Sequence, residues 1–435
     1  MIIDFTIKNF RSIKEPVTLS ALATNVKEHS DSMFQSKNED KIKILNTTAV
    51  YGPNASGKSN IISAFDVLQD FIVLSTDLKL DEKIKYYQPF KLDKKWADLP
   101  TEFEIEFIIE NHIRYRYTIV FNSEEIIKEL LVFFPKGQEA TLFLREKGKK
   151  VNFGDYFRGP ARSVEKQLLK NNLFLSKCAN SNNKVLEEIY LYFKNNIIIS
   201  DLSENGISLP DFTTQECLKK DHFINKQIIS EFLQIADVGI EYLDINKRTF
   251  AEDIINFPHD MPDEIKKRII EDLQYRPQMF HKLFENDKEI GTISFDLAEE
   301  SAGTVKLYDL AGKILYVLYH GLVFIVDELN NSLHPLLTQH IINLFQNANP
   351  NNAQLIFATH DTSLLNPDLL RRDQIWLTEK NQFGATSLYS VSDFDYRKVR
   401  SNIPFDKWYL SGRFGALPVI GNFNKWVENA KKKTE

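Results

Sequence analysis

Cysteine is nearly absent from this 435-residue chain: Cys178 and Cys217 are the only two, in no CxxC pairing. That excludes a disulfide framework and a cysteine zinc site, and it leads us to expect a reducing cytoplasm. Glycine (16) and proline (15) are sparse, which excludes collagen-like and low-complexity chains. Basic excess is missing too: 54 Lys and Arg stand against 60 Asp and Glu, a net charge of -6. Any nucleic-acid contact must therefore come from a local patch. Apolar runs such as LVFIV at 322–326 fall far short of the roughly 20 residues needed to cross a bilayer. The opening MIIDFTIKNFRSIKEP interleaves charge with apolar residues and does not read as a signal peptide. What is present, 43% hydrophobic and 26% charged residues, is the mix of a packed protein. The length suits one large core with a sizeable insertion.

Residues 1–10 alternate apolar and polar, predicting a half-buried strand, and Thr48–Tyr51 predicts a second strand running into Gly52. Ile61, Ile62, Phe65, Leu68 and Ile72 then recur at helical spacing. From Thr101 to Phe134, period-two runs predict a strand meander. Helical patterning is read from about Ser163 to Ala236 and from Pro262 to Phe284, with loops at SENGISLPD and NFPHDMPD. After Ser294 the pattern is helix, strand LVFIV, helix, strand QLIFA. Strands alternating with helices predict an α/β fold with a mostly parallel core.

Gly52-Pro53-Asn54-Ala55-Ser56-Gly57-Lys58-Ser59 matches GxxxxGK[ST] between a predicted strand and a predicted helix, followed by Asn60. Its glycines let backbone N–H groups curl around phosphate oxygens at a helix N-terminus. Lys58 would reach the β and γ phosphates of ATP, and the Ser59 hydroxyl would hold Mg2+. Asp327 and Glu328 end an apolar strand, where Asp327 suits the metal ion and Glu328 the polarising of an attacking water. His360 follows strand QLIFA and is placed to touch a γ-phosphate. Ser301-Ala302-Gly303-Thr304 precedes a helix and is a second anion cradle or an ordinary cap. Asp393 and Asp395 in VSDFD read as a solvated strand edge, and His281 reads as structural.

These pieces, in this order, resemble the ABC-type ATPase heads of the RecF and SMC class. IKNFRSI at 7–13 looks like its opening strand, GPNASGKS its Walker A, ESAGT its signature, VFIVDE its Walker B, LNNSLHP its D-loop and ATHD its H-loop. The resemblance implies that Asn9 and Arg11 lie near the nucleotide. It also implies that Ser301 and Gly303 complete the site of a second subunit in a head-to-tail ATP sandwich. Gln88, in YYQPFKL, is the Q-loop candidate for both nucleotide and metal. A narrower resemblance covers nearly the whole chain, to the RloA-like and AbiLi-like AAA/ABC ATPases of bacterial abortive-infection and restriction-linked loci. QPFKLD, LFLSK, FLQIADVGI, ESAGT, DELNNSLHP, DQIWLTEK and YLSGRFGALP carry it. This chain has Asn330 or Asn331 where that family usually has a D-loop aspartate.

The expected architecture is a P-loop ABC-type ATPase head with a mixed sheet, interrupted by an inserted strand-plus-helix lobe. Its parts would be an N-terminal half at 1–160, a mainly helical insertion at 161–290, a C-terminal half at 291–370, and a C-terminal module at 371–435 that packs on the head or docks a partner. The resemblance implies a cytoplasmic ATPase subunit of an anti-phage defence complex, binding ATP and Mg2+, that dimerises over ATP and controls a separately encoded toxin or nuclease. A homodimer or higher homo-oligomer is expected, nucleic acid is a further candidate ligand, and a membrane is not. The alternatives are a RecF-like DNA repair ATPase and an ATP-dependent scaffold with little turnover.

Overall fold

The computed structural model describes residues 1–26, 29, 32–36, 42–159, 161–201, 212–220, 222–236, 238–247, 266, 274–394, 404–418, 421, 423 and 425. The eighteen strands among them fall into four sheets. The central one is built from runs too apolar to face water on either side: β5 (Thr47–Tyr51), β15 (Val323–Asp327) and β16 (Gln354–Thr359) are buried at every position. Such runs belong in the middle of a parallel sheet covered on both faces. Its order is β11 (Ile197–Asp201), β15, β16, β5, β17 (Ile375–Lys380), β18 (Thr386–Ser390), parallel throughout except for the antiparallel β17–β18 pair. The sheet is therefore mixed.

A second, fully antiparallel sheet of seven strands runs β10 (Asn152–Phe153), β9 (Ala140–Glu146), β8 (Ile126–Phe133), β7 (Arg114–Phe121), β6 (Thr101–Ile108), β1 (Ile2–Lys8), β2 (Val17–Ser20). Helix α1 (Lys58–Leu74) lies between the two sheets. Phe65 meets Phe5 at 4.3 Å between ring centroids, and Phe71 meets Phe121 at 5.0 Å. Each fully buried Phe, Leu or Ile of this helix contributes about 1.5–3 kcal/mol over exposure, so packing holds it. Val50, Ile325 and Ile356 point into this core, whereas Ala49, Phe324 and Phe357, one residue over, point into the core on the other face.

Helices α2 (Phe174–Ala179), α3 (Lys184–Asn195), α4 (Phe212–Leu218) and α5 (Lys226–Ile235) precede β15 in the chain. Helices α6 (Ala302–His320) and α7 (Pro335–Asn347) cover the far face of the sheet, and α8 (Phe405–Leu410) follows. Strands β12 (Tyr242–Lys247), β13 (Tyr275–Glu285) and β14 (Lys288–Asp296) make a third sheet, and β3 (Met33–Gln35) pairs with β4 (Lys43–Leu45). No helix of the described residues is long and apolar enough to cross a membrane.

Two expectations change. Ile197–Asp201, read as part of a helical stretch, is an edge strand of the central sheet, because three consecutive β-branched isoleucines suit a pleated surface. Tyr275–Phe284, also read as helical, is most of β13, whose inward residues Pro277 and Met279 alternate with less buried ones. The segment from Arg371 packs on the head at its start, where β17 pairs directly with β5. The loops SENGISLPD and NFPHDMPD lie outside the described residues.

Candidate functional site

Strand β5 delivers the chain to Gly52, and the loop through Ser59 turns into α1, as the spacing predicts. Two threonines of the C-terminal hairpin explain why both motif glycines must lack a side chain. A Cβ on Gly52 would collide with Thr378, and one on Gly57 would collide with Thr386. Gly57 also sits at φ +113°, outside ordinary L-residue space. The same threonines hold the loop: Thr378 Oγ1 bonds to Ser56 Oγ at 2.6 Å, and Thr386 Oγ1 donates to the Ser56 carbonyl at 2.8 Å. Lys58 is 6% exposed, and its Nζ donates across the loop to the carbonyls of Gly52 (2.8 Å) and Pro53 (3.1 Å). Burial lowers the pKa of this ammonium, and the negative charges of Asp327 and Glu328 oppose the shift. Ser59 and Asn54 are exposed on the loop.

The sheet register sets these acids beside the loop. Phe357 pairs with Val326, and Thr359 with Tyr51, so Asp327 and Glu328 end their strand two places from β5, roughly 10 Å at ordinary strand spacing. Asp327 is 5% exposed. Glu328 stands at φ +51°, a left-handed conformation costing on the order of 1–3 kcal/mol and common where function sets the geometry. Two contacts hold it: Asn331 N–H donates to its carbonyl at 2.9 Å, and Lys306 Nζ donates to the same oxygen at 3.1 Å. Lys306 is buried in α6, which lowers its pKa to about 8. Sequence reading missed it, although a lysine among the apolar residues of a helix was a signal. His360 is exposed, one residue beyond β16 and level with Gly52 in the next strand. The neighbouring Thr359 hydroxyl donates to Asn330 Oδ1 at 2.7 Å, tying the loop after β15 to the loop after β16.

On the other flank the N-terminal segment docks onto α1. Ser12, also missed, accepts from Asn60 Nδ2 at 2.6 Å and bonds to Thr386 Oγ1 at 2.8 Å. Asn60 is thus committed to Ser12. Arg11 and Gln88 meet, Arg11 Nε donating to Gln88 Oε1 at 2.7 Å. A guanidinium therefore takes one of the two lone pairs of this oxygen and sets a positive charge beside it, which opposes a metal role for Gln88. Asn9, expected near the nucleotide, has its side chain engaged within the protein. It is fully buried, its Nδ2 donating to the Trp96, Leu99 and Pro100 carbonyls and its Oδ1 accepting from Phe90 N–H. Both polar atoms of its side chain serve to seat the 88–100 segment.

Ser301 caps α6, its Oγ accepting from Thr304 N–H at 3.1 Å. A Cβ on Gly303 would lie 2.6 Å from the Ser332 carbonyl, so this turn abuts the loop after β15 and not Gly52–Ser59. His281 has a partner, Glu300 Oε1, at 2.6 Å. Asp393 caps its own turn through Ser390 N–H, and Asp395 is outside the described residues. Among the described residues no group of three or more His, Cys, Asp or Glu could hold a metal ion. The oxygen donors Ser59 and Asp327 fit Mg2+, which takes one or two protein ligands and completes its shell with phosphates and water.

The chain is 21% identical over 389 residues to "Retron Vc95 probable ATPase" of Vibrio cholerae serotype O1 biovar El Tor, covering 77% of this chain and 70% of that protein. Among solved structures it resembles an SMC head domain from Thermotoga maritima (12% identity, TM-score 0.36, 89% of this chain and 98% of that one). A second is an Smc head domain with an extended coiled coil bound to the C-terminal domain of ScpA, from Pyrococcus furiosus (13%, 0.39, 92% and 97%). The family described as "AAA domain, putative AbiEii toxin, Type IV TA system" matches residues 47–366. Most of the chain, from β5 through the turn after β16, lies within that match, and the protein belongs to this family of AAA-domain ATPases.

Proposed function

We propose that the protein hydrolyses ATP, and that two copies close over two nucleotides in the cytoplasm to sense infection and control a separately encoded effector in an anti-phage complex. The observation that carries the ATPase reading is the placement of the Gly52–Ser59 loop, between β5 and α1, at the same edge of the central sheet as Asp327 and Glu328, two strands away. In this reading the loop amides and Lys58 bind the triphosphate. Glu328 orients water for in-line attack on the γ-phosphorus, the bond to the β,γ-bridging oxygen breaks, and ADP and phosphate leave. Mg2+, when bound by Ser59 and Asp327, would neutralise charge developing on the phosphate oxygens. His360 is positioned to donate to the γ-phosphate, and Ser301 and Gly303 of the second copy would cover it. The retron relative supports the defence setting.

Glu328→Gln keeps a hydrogen-bonding side chain of the same size but removes the charge that polarises water. It should bind ATP normally and turn over at least about tenfold slower, within the range of general-base losses. Phosphate release and nucleotide binding, measured on the same preparation, check this, and wild-type turnover in the variant would remove Glu328 from the reaction.

A further inference from the structure

The order of the central sheet gives a bound nucleotide a direction. Asp327 and Glu328 lie two strands to one side of β5, and the β17–β18 hairpin lies on the other. A triphosphate that lies along this sheet edge with its γ end at the acids extends its nucleoside toward the hairpin. There, two large apolar side chains stand in solvent: Phe383 (69% exposed) at the hairpin tip and Leu92 (72% exposed) on the segment after Gln88. Scattered exposed hydrophobics need no explanation. These two are brought together by built geometry. Gly384, at φ +77°, abuts Leu92 so closely that a Cβ there would collide with it. Asn381 Oδ1 accepts from both Phe383 N–H and Ala385 N–H at 3.0 Å, which stiffens the tip. Both segments are tied to the phosphate loop or its N-terminal clamp. Thr386, three residues from Phe383, bonds to the Ser56 carbonyl and, through its N–H, to the Ser12 carbonyl at 2.8 Å. Gln88, four residues from Leu92, bonds to Arg11.

We propose that Phe383 and Leu92 form the platform for the base of the nucleotide, Phe383 stacking on the purine and Leu92 flanking it. This rests on the ATP reading above. A purine is the ligand class because its wide π-face fits an exposed aromatic ring.

The test is calorimetric titration, with magnesium, of a non-hydrolysable ATP analogue and of inorganic tripolyphosphate, which has the phosphates and no base. Phe383→Ala should weaken the analogue about tenfold, in line with the loss of one aromatic–base stack, and leave tripolyphosphate within about twofold. Phe383→Trp should restore the analogue, and Leu92→Asp should weaken it. Unchanged analogue binding in Phe383→Ala overturns the platform, and so does an equal loss for both ligands, which would place the effect in the loop. If the wild-type chain binds neither ligand, the ATP reading itself fails, which Lys58→Ala, expected to lose both, keeps distinct.

Discussion

Lys306 crosses from α6 to the Glu328 carbonyl, and Glu328 holds a left-handed backbone that few glutamates adopt. A shift of α6 is thereby delivered to the residue proposed to position water. Lys306→Met should keep ATP binding but slow turnover by about tenfold, because a carboxylate displaced by about an ångström loses its alignment, and Lys306→Arg should recover part of the rate. Turnover of Lys306→Met equal to wild type would show the contact to be idle. Burial gives a second, pH-dependent reading. With the folded-state pKa near 8, below the ordinary lysine value, both folded and unfolded chains carry the proton at pH 7, and the folded chain bears the cost of burying it. Between about pH 8 and 10.4 the unfolded chain alone stays protonated, so stability rises with pH over that window. Denaturant unfolding at pH 7 and 9.5 should show wild type gaining relative to Lys306→Met. A pH-independent difference would mean the ammonium is not desolvated.

Among the elements, β8 and α2 share one buried clamp. Glu129, fully buried, accepts from Tyr117 Oη (2.9 Å), Phe174 N–H (2.7 Å) and Leu175 N–H (2.9 Å), with Arg145 Nη1 at 3.4 Å. It caps the start of α2 from the antiparallel sheet. Glu129→Ala removes the counter-charge of a buried guanidinium, which keeps its bonds to the Leu169, Lys170 and Asn172 carbonyls, and leaves two N–H groups without an acceptor. It should cost roughly 3–5 kcal/mol, read as a lower urea midpoint at unchanged slope; a loss under about 1 kcal/mol would show that water replaces the carboxylate. Such a clamp is invisible in sequence because its members come from four separate segments. The same reason separates what was readable from what was not. Strands β5, β15 and β16 were legible because their apolar runs and flanking motifs are local, and so was the GxxxxGKS loop. Strand β11 was not, being a short isoleucine run directly behind the amphipathic helix α3, where one period blurs into the other. Strand β13 carried a missed signal: Asn286 and Asp287, at φ +49° and +63°, form the two-residue turn of a hairpin. Ser12, Thr378 and Thr386 reach the phosphate loop only through sheet order, which no local pattern encodes.

For the molecule as a whole, the site built here is one-sided. Lys58 belongs to the phosphate loop, and Asp327, Glu328 and His360 end strands at the same edge of the central sheet, while the Ser301–Gly303 turn abuts Ser332. A helix N-terminus facing outward, with exposed Ser301 and Ala302, suits an anion presented by another copy. Dimerisation should therefore require nucleotide and be trapped when turnover is slow. Glu328→Gln with ATP and magnesium should scatter light as twice the 50.5 kDa of one chain, and as one chain without nucleotide. Ala302→Arg is the discriminating addition: it keeps the Ser301 cap and the helix but sets a long cation in the expected contact. Glu328→Gln combined with Ala302→Arg should stay monomeric in ATP while still binding nucleotide. If the double variant dimerises as well as Glu328→Gln alone, the contact lies elsewhere; if Glu328→Gln stays monomeric at saturating ATP, two-headed closure is wrong for this protein, and any hydrolysis must be completed within one chain.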